Sequence, residues 1–398
     1  MRFGSVVALG VLASMGFWLC GCDDTKSHST SAPIGNVAPS APPASNVQAV
    51  LSVPTSIAPP QIQPPPVDPV LNQTPLPTVP TAQASADPEA RAIDDAAFTA
   101  LATVVQKRRL LIKAQVMLDR AHFSPGVIDG RDGSNLRRAL AAFAAARAGA
   151  APAPASSATL DATAWQALTS ADSAPITQDY VIAADDVKGP FLGALPTDLA
   201  ALAKLAWVGY ATPAEGLAEK FHMDEALLRT LNPKADFAVA GTRLVVVRPT
   251  TDPLPTVARL EIDKAAQSLR AYAADGKLVA SFPATVGSAE RPAPSGLWAV
   301  KAVAPHPTYT YDPSRLTFGD AAKGKLTIAA GPNNPVGSTW IDLTAATYGI
   351  HGTPDPSTIG KTASHGCVRL TNWDAAALGR AVKKGLPVLF VGAERRKG

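Results

Sequence analysis

Hydrophobic positions change period several times along the chain. Val6 to Leu19 is an apolar run, shorter than the roughly 20 residues a spanning helix needs. Residues 25 to about 90 show no periodicity. Leu111, Gln115, Leu118 and His122 then recur at helical spacing. Phe123-Ser124-Pro125-Gly126-Val127-Ile128-Asp129-Gly130 has turn chemistry, and Leu136, Leu140 and Phe143 restart a helix. Leu160 to Leu168 begins a third, with Asp161 as N-cap. Two short helices are expected at Ala214–Phe221 and Asp224–Leu231. The turn Asn232-Pro233 and the strand Arg243–Val247 follow. Beyond Pro253 the period becomes two. Val257–Ile262 and Gln267–Tyr272 alternate, Asp275-Gly276 supplies a hairpin turn, and Leu278–Val286 returns. One helix, Trp373–Lys384, precedes a last strand, Pro387–Val391. The pattern predicts a multidomain chain. Residues 94–172 form a small helical domain and 206–248 a small α+β unit. Residues 255–393 form a mainly-β domain.

Composition explains the stretch without period. Of 398 residues only 17% are charged, against about 25% in ordinary soluble chains, and 37 are Pro. Fifteen of those prolines fall between Pro33 and Pro88, where Asp68 and Asp87 are the only charges. Such a segment buries too little apolar surface to offset chain entropy, so 22–93 is expected to be a disordered tether with polyproline II character. Some 65 residues extended at about 3.1 Å each would reach on the order of 200 Å. The net charge of +4 is mild, and Lys107-Arg108-Arg109 and Arg395-Arg396-Lys397 are the only dense basic runs, which gives nucleic-acid binding no support. Three cysteines, two of them at the N-terminus, exclude a disulfide scaffold and a Cys-only metal cluster.

Arg2 and the following apolar run have the layout of an export signal. Leu19-Cys20-Gly21-Cys22 resembles the lipobox of bacterial lipoproteins. The resemblance implies a signal peptide over 1–21, Cys22 as the lipidated N-terminus, and a periplasmic protein of the cell envelope held to a membrane by its lipid anchor. Asp23 leaves inner and outer membrane both open.

With Cys20 removed and Cys22 acylated, Cys367 is the one free thiol. His351 and His365 lie 16 and 2 residues upstream, Gly366 adjoins it, and Arg369 follows by two. A nucleophilic thiol needs an imidazole or positive charge nearby and room for backbone to approach the reacting carbon, so the cluster points to a catalytic Cys/His pair. Two His and a Cys also suit zinc, but no carboxylate ligand accompanies them, and no metal or cofactor is expected. His28, His122, His222 and His306 read as structural.

His351-Gly352-Thr353-Pro354, Ile359-Gly360 and Ser364-His365-Gly366-Cys367-Val368-Arg369-Leu370 resemble the signature of the L,D-transpeptidase (YkuD) catalytic domain. Pro294-Ser295-Gly296, Gly331-Pro332-Asn333-Asn334-Pro335-Val336-Gly337 and Tyr348-Gly349-Ile350 agree with its upstream segments. That resemblance implies a mainly-β catalytic domain and acyl transfer on peptidoglycan tetrapeptide stems through a Cys367 thioester. His351 would be base and acid, with the Gly352 carbonyl as its partner, and His365 would flank the thiol. Backbone N–H groups at Gly366 and Cys367 would face the oxyanion. Ser364 belongs to the same substrate-binding set, and Arg369 would bind a stem carboxylate. Carbapenems are the covalent inhibitors it implies. Hydrolysis of the same acyl bond, as an L,D-carboxypeptidase, is the first alternative, and a non-catalytic wall-binding lipoprotein the second. In the helical region Gln115, the Ile128-Asp129-Gly130 turn and Thr163-x-Trp165-x-x-Leu168 resemble a peptidoglycan-binding domain. Residues 206–248 resemble a glycan-binding LysM module, with its first strand poorly matched at Trp207–Tyr210.

Overall fold

The computed structural model describes residues 85–288, 291–313, 324–364 and 366–394. The apolar run, Cys22, the tether up to residue 84, and His365 lie outside the described residues. Among those described, no helix is long and apolar enough to cross a membrane.

The first helix, α1 (Pro88–Asp94), falls in the stretch expected to be tether. Pro88 opens it, the Asp87 carboxylate accepts from the Glu89 and Ala90 amides at 2.8 and 3.1 Å, and Ala90 and Ile93 are fully buried. Folded chain therefore begins before residue 94, because a cap and two apolar residues suffice to dock one short helix. Next come α2 (Val104–Arg120), α3 (Ser134–Ala148) and α4 (Ala162–Ala171). The predicted cap of α4 is present, with Asp161 accepting from the Ala164 amide at 2.8 Å. Gln115 on α2 is bonded to the Asp-Gly turn. Its Oε1 accepts from the Gly130 amide at 2.8 Å and its Nε2 donates to Asp129 at 2.8 Å. Gly130 takes φ +69°, and a Cβ there would lie 2.9 Å from Ile112.

The second unit differs from the sequence reading at its first strand. Strand β1 is Thr177–Val181, thirty residues upstream of Trp207–Tyr210, and pairs antiparallel with β2 (Arg243–Val247), Thr177 opposite Val247. Residues 182–212, which include α5 (Leu199–Leu202), are inserted before α6 (Pro213–Lys220) and α7 (Glu225–Leu231). The weak match at 207–210 arises from that insertion. Asn232 ties the Asn-Pro turn to β2, its side chain exchanging 2.7 Å bonds with the Val245 amide and carbonyl. Leu111, Leu136, Phe143 and Leu168 share one core with Leu217, Leu227, Leu244 and Val246, so the helical region and this unit are one packed body.

The C-terminal domain is built on nine strands. They are β3 (Arg259–Asp263), β4 (Ser268–Tyr272), β5 (Leu278–Pro283), β6 (Thr285–Val286), β7 (Gly296–Pro305), β10 (Thr339–Leu343), β11 (Gly349–His351), β12 (Val368–Arg369) and β13 (Pro387–Val391). Their order is β5-β4-β3-β13-β7-β10-β11-β12-β6. The hairpin β8 (Tyr309–Tyr311) and β9 (Leu326–Ile328) stands apart. Alternation sets the faces: Leu260, Ile262, Leu269 and Ala271 are fully buried, while Glu261 and Arg270 pair at 3.0 Å on the other side. Helix α8 (Asn372–Ala381) starts at the Thr371 cap and buries Ala375 and Leu378. The two halves of the chain meet through backbone. Ser124 donates to the Ser281 carbonyl at 2.8 Å, and Val208 to that of Ala330 at 2.9 Å.

Candidate active site

The sheet register brings the distant sequence motifs together. Strands β11 and β12 are parallel, with Ile350 opposite Val368 and His351 opposite Arg369. Arg369 on β12 therefore stands opposite His351 on β11, and Cys367 leads directly into β12. The Cys367 thiol meets the backbone of Gly349, the first residue of β11.

His351 is buried, and its Nδ1 lies 2.7 Å from the Gly352 carbonyl, the partner expected from the sequence. A carbonyl only accepts, so Nδ1 carries the proton and Nε2 of the neutral ring is left with a lone pair. The imidazole stacks on Trp340 at 5.5 Å between centroids. Burial, then the Arg369 charge, lower its pKa to about 4, against the backbone carbonyls of Gly352 and Val336, which favour the proton. At neutral pH the ring is a free base.

Cys367 is partly exposed. Burial of its sulfur pushes the thiol up, opposed by a backbone hydrogen bond from Gly349 and by Arg369. Sγ lies 3.9 Å from the Thr347 carbonyl, which only a protonated thiol can use as a bond. Thr347 takes φ +72°, an uncommon angle for a β-branched residue and one that places this carbonyl. The resting pair is therefore neutral thiol and neutral imidazole.

Ser364 shapes the loop that carries the nucleophile. Its hydroxyl donates to the Cys367 carbonyl at 2.6 Å and accepts from the Gly366 amide at 3.3 Å. That bond turns the Gly366 N–H into the loop, away from the oxyanion role expected of it. Gly366 takes φ +110°, and a Cβ there would lie 2.8 Å from the Tyr348 ring. Arg369 is half-buried, lowered by desolvation and raised by Cys367 and Tyr309. It has no ion pair with an acidic side chain among the described residues.

Three neighbours were not legible as site residues. Tyr309 on the β8–β9 hairpin faces Cys367 and Arg369 electrostatically, and its phenol is pushed up by burial. That hairpin rests on the inserted segment of the preceding unit, Ile328 packing with Leu202 and Val208. Trp340 is one apolar residue in an alternating strand. Asn372 marks a helix start through Thr371, but nothing in its spacing announces a buried amide.

Residues 258–389 match the YkuD family, the L,D-transpeptidase catalytic domain. This part of the chain is a YkuD domain. A Bacillus licheniformis relative that carries the name L,D-transpeptidase YkuD is 27% identical over 44% of this chain and 90% of its own. A YbiS relative from Escherichia coli, also named for L,D-transpeptidases, is 28% identical over 46% and 61%. Among solved structures, L,D-transpeptidase 1 of Mycobacterium tuberculosis is 22% identical over 37% of this chain and 66% of that one. Its TM-score is 0.25, too low to carry weight for the fold. The YkuD match stops short of the helical region and the β1–β2 unit.

One substitution tests how tightly the YkuD site is assembled. At Gly337, φ +64°, a Cβ would sit 2.2 Å from Asn372 Oδ1 and 2.5 Å from the Gly352 carbon. Gly337→Ala is expected to lower the melting temperature by several degrees and to abolish labelling of Cys367 by acylating reagents, since neither contact can give. Differential scanning fluorimetry with intact-mass labelling checks it.

Proposed function

We propose that the protein is a cysteine L,D-transpeptidase that acylates Cys367 with peptidoglycan tetrapeptide stems and passes the acyl group to an amine, forming 3→3 crosslinks. The single observation that supports this most is the buried His351, its Nδ1 2.7 Å from the Gly352 carbonyl, on the strand paired with the one that Cys367 leads into. Nε2 takes the Cys367 proton as sulfur attacks the carbonyl between the L-centre diamino acid and the terminal D-Ala. The proton passes to the departing D-Ala amine, and a thioester remains. The acceptor, the side-chain amine of a second stem, attacks that thioester, its proton goes to Nε2, and the thiol is regenerated. The Cys367 N–H is the backbone donor proposed for the oxyanion. Arg369 suits a stem carboxylate, because a forked guanidinium matches two oxygens. Ser364 acts by holding the loop, and His365 is kept as a flanking group from the motif.

Muropeptide mass spectrometry tests the outcome. Dimers joined 3→3 are expected from purified protein and tetrapeptide disaccharides. Tripeptides alone would mean that water resolves the thioester, and an unchanged profile would remove the enzymatic reading. The pH dependence is fixed by the low pKa of His351. Cys367 acylation should hold well below pH 6.5 and fall only as pH nears 4, where the base is protonated. A limb centred at or above 6.5 in the acylation rate would contradict the neutral resting pair.

The envelope address is proposed from the sequence alone. Lipidated Cys22 would anchor the chain in a membrane facing the periplasm, and the 22–84 segment would let the catalytic domain reach the wall. Cys22→Ala is expected to move the protein from the membrane fraction to soluble exported material. Acyl labelling absent from the wild type would refute the anchor. The Gln115-linked helical region and the β1–α6–α7–β2 unit are the proposed peptidoglycan-binding-like and LysM-like parts.

A further inference from the structure

Helix α6 turns two glutamates toward the catalytic domain. Glu215 accepts from Asn333 Nδ2 at 2.9 Å. Both Glu219 oxygens lie 3.1 Å from Asn372 Nδ2, which also lies 3.0 Å from the Pro332 carbonyl. The other end of the same amide accepts from the Ser338 N–H at 3.0 Å and the Thr353 N–H at 3.2 Å. Ser338 adjoins β10, whose Trp340 stacks on His351. Thr353 follows Gly352, whose carbonyl holds His351 Nδ1. One buried side chain thus grips the backbone on both sides of the imidazole. The approach leaves no room for a side chain, since a Cβ on Gly352 would lie 2.2 Å from Asn372 Oδ1.

We infer that Glu219 is a positioning residue of the acyl-transfer site, acting through Asn372 on the Gly352–Thr353 backbone that aims His351. The unit before the YkuD domain is then a working part of the active site. A primary amide has two ends that differ only in bonding, so what faces each end decides its orientation. Two N–H groups require the oxygen on the loop side, and the NH₂ must then meet acceptors. Glu219 and the Pro332 carbonyl are those acceptors. Without Glu219 the buried NH₂ keeps one partner, and the amide is free to turn or withdraw. Glu219 also faces Glu215 and Tyr210, and burial chiefly raises its pKa to about 8, so it is largely neutral at pH 7. Gln at 219 should therefore reproduce its acceptor.

The assignment of acyl transfer rests on the proposed function, and the test separates the two. Nitrogen-15 NMR of the imidazoles in the full chain reads the His351 tautomer and titration without any reaction. Wild type and Glu219→Gln are expected to show the Nδ1–H tautomer titrating far below 6.5. In Glu219→Ala the titration should move up toward 6.5 by about one pH unit or more as the cage loosens. Carbapenem acylation of Cys367 should slow by about tenfold to a hundredfold in Glu219→Ala, the scale of a misplaced catalytic group, and stay near wild type in Glu219→Gln. Glu225→Ala, which removes a partly exposed carboxylate paired with Arg229 on α7, controls for the loss of a glutamate outside the Asn372 contact. If Glu219→Ala does not unfold cooperatively, Glu219→Met keeps the volume without a strong acceptor and takes its place. His351 titrating alike in wild type and the Ala or Met variant would overturn the inference, as would Gln behaving like Ala. A wild type that shows the shifted His351 yet is never acylated would count against the proposed function alone.

Discussion

Exposed to a carbapenem, the wild-type protein is expected to gain the mass of one opened β-lactam on Cys367, and the Cys367→Ser protein none. In the proposed mechanism the thiol reacts because Nε2 of neutral His351 takes its proton as sulfur attacks a strained carbonyl. A serine hydroxyl lacks both the acidity and the nucleophilicity of the thiol. His351→Ala should still acylate, but more slowly by about 10²–10⁴, the usual contribution of a positioned general base. Burial keeps the thiol protonated at rest, so the variant has no preformed thiolate to fall back on. Time-resolved intact-mass spectrometry of the three proteins decides it. An adduct on Cys367→Ser, or equal rates with and without His351, would contradict these roles.

The contacts around Cys367 and His351 were legible where they are local. Cys367, Gly366 and Ser364 are close in sequence, and the Gly352 carbonyl follows its histidine directly. The alternation of 257–286 gave β3, β4 and β5 for the same reason, each strand being defined by its own period. What escaped were contacts made across long loops. Glu219 and Asn372 are 153 positions apart. Glu219 reads as one more charge on an amphipathic helix, and Asn372 as a residue in a helix's first turn. The strand at 177–181 was missed because an insertion of about thirty residues separates it from the helices it packs beside, so proximity in sequence favoured Trp207–Tyr210. The loop role of the Gly366 amide escaped for a different reason. Sequence identifies a backbone N–H, but its direction depends on the Ser364 hydroxyl.

Raising the pH from about 5 to 8.5 is expected to destabilise the fold by a few kcal/mol, visible as a falling melting temperature. Burial chiefly raises Glu219 from 4.5 to about 8 and Asp374 from 3.8 to about 7. Each carboxyl is held neutral in the folded chain over a range where the unfolded chain has lost its proton. The folded state binds more protons there, so the contribution is complete below the unfolded pKa and is lost as pH rises through the folded one. Each pH unit of difference corresponds to about 1.4 kcal/mol before relaxation reduces it. Asp374 accepts from Ser124 at 2.9 Å and faces Asp119, whose charge raises it, and His222, which opposes. Both carboxyls lie where the N-terminal body meets the YkuD domain. Glu219→Gln with Asp374→Asn should flatten the profile. A wild-type melting temperature that is level or rising between pH 5 and 8.5 would show that these groups are ionised in the fold.

Cys367 is proposed to take an acyl group from a peptidoglycan stem. Intact-mass measurement of the purified protein after incubation with a tetrapeptide disaccharide, without an acceptor amine, isolates that step. A mass gain equal to the disaccharide stem less its terminal D-Ala, mapped to Cys367 and absent from Cys367→Ser, is expected. Free D-Ala with no protein adduct at any time, or an adduct that survives in Cys367→Ser, would contradict it.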